Sequence, residues 1–138
     1  PVRISLPNPK TRKRDDVLIT IAGPLSNLLI ALIATLFFSI WVATGLPISD
    51  NGIQLYQTIV LLNCVLIVFN LMPIPPLDGS HILKNAINMK DETYFNLSKY
   101  GFIILLVLIN IPPFQILMST LIGLSSSVFF SIFEQLAL

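Results

Sequence analysis

Long runs of apolar residues, separated by short polar or proline-bearing breaks, set the pattern of this chain. Val17 to Ser49, Ile53 to Leu77 and Tyr100 to Phe133 carry no Asp, Glu, Lys, Arg or His. Each run is long enough for an α-helix to cross the roughly 30 Å hydrocarbon core of a bilayer. The last run is interrupted by Asn110-Ile111-Pro112-Pro113 and divides into two segments. The pattern predicts an all-α integral membrane protein with about four membrane segments, one of them broken by proline. The first helix is expected from near Pro24, whose missing N–H is no loss in a first turn, to Ala43. Trp41 falls where an interfacial aromatic belongs, and Gly45 with Pro47 ends the segment. Ser49-Asp50-Asn51-Gly52 reads as a short external turn. The second span is expected from about Ile53 to Leu71, the third from near Tyr94 to Ile111, and the fourth from Phe114 to about Leu136. Gln54, Gln57, Asn63 and Asn70 are expected to face a protein-lined or wet interior.

The break after the second span organises the rest. Phe69-Asn70-Leu71-Met72-Pro73-Ile74-Pro75-Pro76-Leu77-Asp78-Gly79-Ser80 puts a carboxylate and three prolines directly after an apolar helix. Pro73, Pro75 and Pro76 remove backbone donors and push Met72, Ile74 and Pro75 into extended conformations, so the helix must stop near Asn70. Such backbone is tolerated at membrane depth only where protein buries it or where it lines a polar cavity. A short helix is expected over Gly79 to Asn88, capped by Asp78 or Ser80. A carboxylate in this setting requires a partner: a cation, a proton or a metal. Asn70 and Asp78 are expected to face one small polar chamber.

Composition agrees with the pattern. Of 138 residues, 54% are hydrophobic and 11% charged, against about 25% charged in soluble domains. The net charge of +1 reflects basic residues in short loops beside apolar runs and gives no footprint for nucleic acid. Residues 1–16 hold Arg3, Lys10, Arg12, Lys13 and Arg14 and are expected as a basic interfacial loop, with Val2, Ile4 and Leu6 alternating as a short strand would. Residues 17–138 form the membrane core. The bias of Lys and Arg places the N-terminus and the Asp78 loop, with Lys84, Lys90 and Lys99, on the cytoplasmic side of the plasma membrane. Cys64, the one cysteine, lies in an apolar run and reads as a small buried hydrophobe. The chain begins at Pro1 without an initiator Met or signal-peptide pattern and reads as a fragment or a processed form.

A second polar motif opens the first span: Ala22-Gly23-Pro24-Leu25-Ser26-Asn27-Leu28-Leu29. Together with the Phe69 to Ser80 stretch it resembles the membrane core of the site-2 protease family of intramembrane zinc metalloproteases. Tyr100-Gly101-Phe102 is similar to the compact prokaryotic branch of that family. The resemblance implies a Zn2+ held by two histidines of an H-E-x-x-H helix and by Asp78. It implies an open fourth position for water and the glutamate as general base. It further implies that Asn70 orients the Asp78 loop and that Asn27 holds substrate backbone or stabilises the oxyanion. The chain has one histidine, His81, and no H-E-x-x-H; that motif is expected upstream of Pro1. The segment alone is therefore expected to be inactive, its activity belonging to the full-length protein.

The residues themselves leave alternatives open. Asp78 followed by Gly and Ser also suits a helix N-cap. Asn27 also suits an interhelical hydrogen bond. His81, three residues after Asp78, could share a metal with it or be a polar residue on the first turn of the loop helix. The functional reading is an endopeptidase acting on transmembrane protein substrates in the bilayer, its pocket opening to the cytoplasm. An ion-coupled transporter fragment and a non-catalytic membrane scaffold are the alternatives.

Overall fold

The computed structural model describes residues 9–137, and the side chains of residues 20–137. The described residues form five helices and no strand: α1 (Pro9–Ala43), α2 (Asp50–Asn70), α3 (Gly79–Ala86), α4 (Asp91–Leu108) and α5 (Pro112–Ala137). The protein is an all-α membrane protein. Three helical segments are long and apolar enough to span a bilayer: Thr20–Ala43, Asp50–Asn70 and Pro112–Ala137. A fourth span was expected in the α4 region. That helix forms, but Asp91, Glu92 and Lys99 lie within it, so only its C-terminal half is continuously apolar.

Helix α4 runs Asp91–Leu108 rather than from near Tyr94 to Ile111, α5 starts at Pro112 rather than Phe114, and α3 ends at Ala86 rather than Asn88; two further boundary shifts have a visible cause. Helix α1 does not start near Pro24. It runs unbroken from Pro9, with Pro24 inside it, so residues 9–16 are helical rather than looped. The expected alternation of Val2, Ile4 and Leu6 lies outside the described residues. Proline is tolerated within a spanning helix because neighbouring elements re-satisfy the freed carbonyl; here Pro24 is buried against the rest of the protein. The second shift is at α2, which starts at Asp50 because Ser49 caps it, its hydroxyl accepting from the Gly52 N–H at 3.3 Å. An Asp in the first turn favours the same start.

Helices α1, α2 and α5 pack on one another around Ala31, Tyr56, Val60, Cys64 and Phe129. The buried Tyr56 hydroxyl donates to the Phe129 carbonyl at 3.1 Å and lies 3.5 Å from Thr35 Oγ1. Asn63 is buried and donates to the Ile59 carbonyl at 2.8 Å. Gln54 and Gln57 are exposed rather than turned into an interior, because the inward positions of that turn belong to Tyr56 and Val60.

Prolines stop α2 where expected, at Asn70. The chain then folds back under the bundle. Met72 packs with Val68 and Met118, and Ile74 and Leu77 lie against this cluster. Met72 and Pro75 are buried, Ile74, Leu77 and Asp78 half-buried, and Leu71, Pro73 and Pro76 exposed, so protein covers the break in part. Two glycines make the fold-back possible. A Cβ on Gly79, the first residue of α3, would overlap the Leu71 carbonyl, and one on Gly101 of α4 would overlap the Pro75 carbonyl.

Candidate metal and peptide site

The folded-back loop presents Asp78 to α1. A methyl group built on Gly23 would lie 2.9 Å from Asp78 Oδ2 and 3.7 Å from Asn70 Nδ2. The Gly-Pro-x-x-Asn motif of α1 and the Asn-to-Asp-Gly motif of the break therefore meet at one place. Gly23 supplies bare helix backbone there. Any side chain on it would press on the carboxylate.

Asp78 is half-buried. It precedes α3 with helical backbone angles, φ −56° and ψ −41°, and its side chain makes no cap hydrogen bond. The expected capping role is therefore not taken up by Asp78. Nor does Ser80 cap the helix, for its hydroxyl donates backward to the Leu77 carbonyl at 2.6 Å. A true N-cap residue has extended backbone that turns its oxygen toward the N–H groups two and three residues on. The helical angles of Asp78 aim its carboxylate elsewhere, toward α1.

Asn70 lies at this meeting point, and Asn27 sits one helical turn beyond Gly23 on α1. Both are half-buried, and neither carboxamide makes a hydrogen bond among the described residues. Asn27 follows Gly23 by one helical turn on the same face of α1. His81 does not share a site with Asp78: its Nε2 lies 3.2 Å from the Tyr94 hydroxyl, and its ring packs at 5.1 Å from that of Tyr94. The sequence pattern assigned no role to Tyr94. A buried tyrosine two turns before Gly101 on one face of α4 was the available signal.

One half-buried carboxylate without a hydrogen bond among the described residues, beside the Asn70 carboxamide, suits one ligand position of a zinc site. No group of three His, Cys, Asp or Glu side chains occurs among the described residues. Asp78 fits as one such donor.

The fold and this niche define a class: polytopic helical membrane proteins with a polar site built at a broken helix. The family model for peptidase family M50 matches residues 40–109, half of the chain, and the chain belongs to that family. It is 37% identical over 101 residues to "Putative zinc metalloprotease YwhC" of Bacillus subtilis, covering 70% of this chain and 46% of that protein. It is 36% identical over 81 residues to "Zinc metalloprotease MJ0392" of Methanocaldococcus jannaschii, covering 59% of this chain and 22% of that one. The chain thus spans less than half the length of both relatives. No solved structure gives a significant match.

Proposed function

We propose that this chain is part of the catalytic core of a zinc-dependent endopeptidase that cuts membrane-spanning proteins, with Asp78 as a zinc ligand. The observation that carries this reading is the meeting of Gly23, Asn70 and Asp78 in a chain of peptidase family M50. Both relatives bear names of zinc metalloproteases. The two histidines and the glutamate base come from an H-E-x-x-H segment outside residues 1–138. Zinc, when bound, supplies Lewis-acid activation of the scissile carbonyl and a water acidic enough to serve as nucleophile at neutral pH.

The chain's own residues do the rest. Asp78 holds the metal with a carboxylate that makes no hydrogen bond among the described residues. Asn70, at the last turn of α2, orients the loop that carries Asp78. Asn27 hydrogen-bonds the substrate backbone. A substrate helix hides its carbonyls in bonds between residues four apart and must unwind before it can be cut; an unpartnered carboxamide compensates the freed groups, or donates to the developing oxyanion. The site opens to the cytoplasmic face of the plasma membrane, following the Lys and Arg bias of the loops.

The test is cleavage of a membrane-spanning substrate by the full-length protein in detergent or vesicles, with wild type, Asp78→Asn and Asn27→Ala side by side. Cleavage by wild type that a chelator abolishes and zinc restores, lost in Asp78→Asn and lowered about a hundredfold in Asn27→Ala, is the expected result. Chelator-insensitive cleavage, or an Asp78→Asn protein of full activity, would overturn it.

A further inference from the structure

Helix α4 reaches the Asp78 loop at two points, and one of them is a hydrogen-bonded relay. Ser80 and Tyr94 are both buried, at 2% and 8% exposure. Ser80 Oγ donates to the Leu77 carbonyl at 2.6 Å. A serine hydroxyl has one proton, so the 2.9 Å contact between Ser80 Oγ and the Tyr94 hydroxyl has tyrosine as donor. The tyrosine oxygen is then free to accept from His81 Nε2–H at 3.2 Å. Every proton in this chain has one destination. The relay runs from His81 through Tyr94 and Ser80 to Leu77, and Asp78 lies between its two anchoring points on the backbone.

Other contacts hold the two sides of the relay together. Lys84 of α3 pairs with Asp91 of α4 at 2.6 Å, and its ammonium sits 4.9 Å from the centre of the Tyr94 ring. Two turns further along α4, Gly101 lies so close to the Pro75 carbonyl that no side chain would fit. Among the described residues the Asp78 side chain forms no hydrogen bond that would fix its direction. Its aim toward Gly23 is set by the backbone on either side of it, and that backbone is tied to α4.

We infer that Tyr94 is a positioning residue for the metal ligand Asp78: through Ser80 and His81 its hydroxyl sets the direction of the carboxylate without touching the metal or substrate. This rests on the zinc peptidase reading above. A ligand held on a pre-ordered loop binds a metal without first having to order that loop. Losing the Tyr94 hydroxyl makes the loop settle at the metal's expense.

Tyr94→Phe removes the hydroxyl and keeps the ring; Ser80→Ala breaks the same relay from α3. The full-length protein, reconstituted in lipid, gives two readouts. In metal-free protein, amide exchange at Leu77, Ser80 and His81 should be about fivefold to tenfold faster in either variant. In cobalt(II)-loaded protein, the visible ligand-field spectrum should shift and chelator-driven release should quicken by a similar factor. The double variant should be no worse than the more affected single one, since one relay is lost once. A lowered melting temperature with unchanged exchange, spectrum and release would show a merely structural tyrosine and overturn the inference. If wild type takes up cobalt through Asp78 while both variants match it, the inference fails and the peptidase reading stands. Wild type that takes up no metal overturns both.

Discussion

Tyr56 and Asn70 sit on the same helix, about four turns apart, and their surroundings differ in kind. Around Tyr56 the polar groups are paired. Its hydroxyl reaches the Phe129 carbonyl, Thr35 donates to the Ala31 carbonyl at 2.8 Å, and Ser39 donates to the Thr35 carbonyl at 2.7 Å. The rings of Phe38, Phe130 and Phe133 pack around Tyr56. At the Asn70 end, Asn70 and Asp78 turn polar atoms toward Gly23, Asn27 lies one helical turn along α1 from that glycine, and none of the three side chains makes a hydrogen bond among the described residues. Pairing of the hydroxyls at one end, beside a carboxylate and two carboxamides without hydrogen bonds among the described residues at the other, is the pattern expected if the second end is kept for a ligand. Buried polar groups are costly when unmet.

Substitutions at the two ends should therefore fail in different ways. The largest expected effect on folding is Gly101→Ala. Its Cβ meets backbone rather than a movable side chain, and such overpacking costs about 1–3 kcal/mol, readable as a fall in thermal unfolding temperature in detergent. Gly23→Ala should be milder and of another kind. Its Cβ meets the end of the Asp78 side chain, which can yield, so the fold should persist while zinc affinity falls about tenfold, measured by competition with a chelator of known affinity. A Gly23→Ala protein that unfolds early yet holds zinc normally would erase the distinction between the ends. The smallest effect is expected for Tyr56→Phe. Losing the bond to Phe129 should cost about 1 kcal/mol of stability and leave zinc content and cleavage untouched.

Much of this arrangement was legible in the chain because prolines act locally. The stop of α2 at Asn70, the start of α3 directly after Asp78 and the division between α4 and α5 all follow from the missing N–H groups of Pro73, Pro75, Pro76, Pro112 and Pro113. Pro24 is the exception. A proline at the first turn and a proline inside a spanning helix leave the same local pattern, and only packing against neighbours decides between them. The convergence of Gly23 with Asp78 could be anticipated only from the resemblance, since no periodicity connects residues on separate helices. Tyr94 was not legible at all. In sequence the near neighbour of His81 is Asp78, whereas its partner in space, Tyr94, lies on α4.

The division between a paired end and an open one rests on Asp78. Zinc content of the purified full-length protein, beside the same protein with Asp78→Ala, tests it most directly. The account predicts close to one zinc per chain in wild type and a large loss in the variant, with thermal unfolding of the two metal-free proteins nearly the same because the carboxylate makes no hydrogen bond or ion pair among the described residues. Equal zinc in both, or a variant that unfolds while wild type holds no zinc, would contradict it and make Asp78 a structural residue.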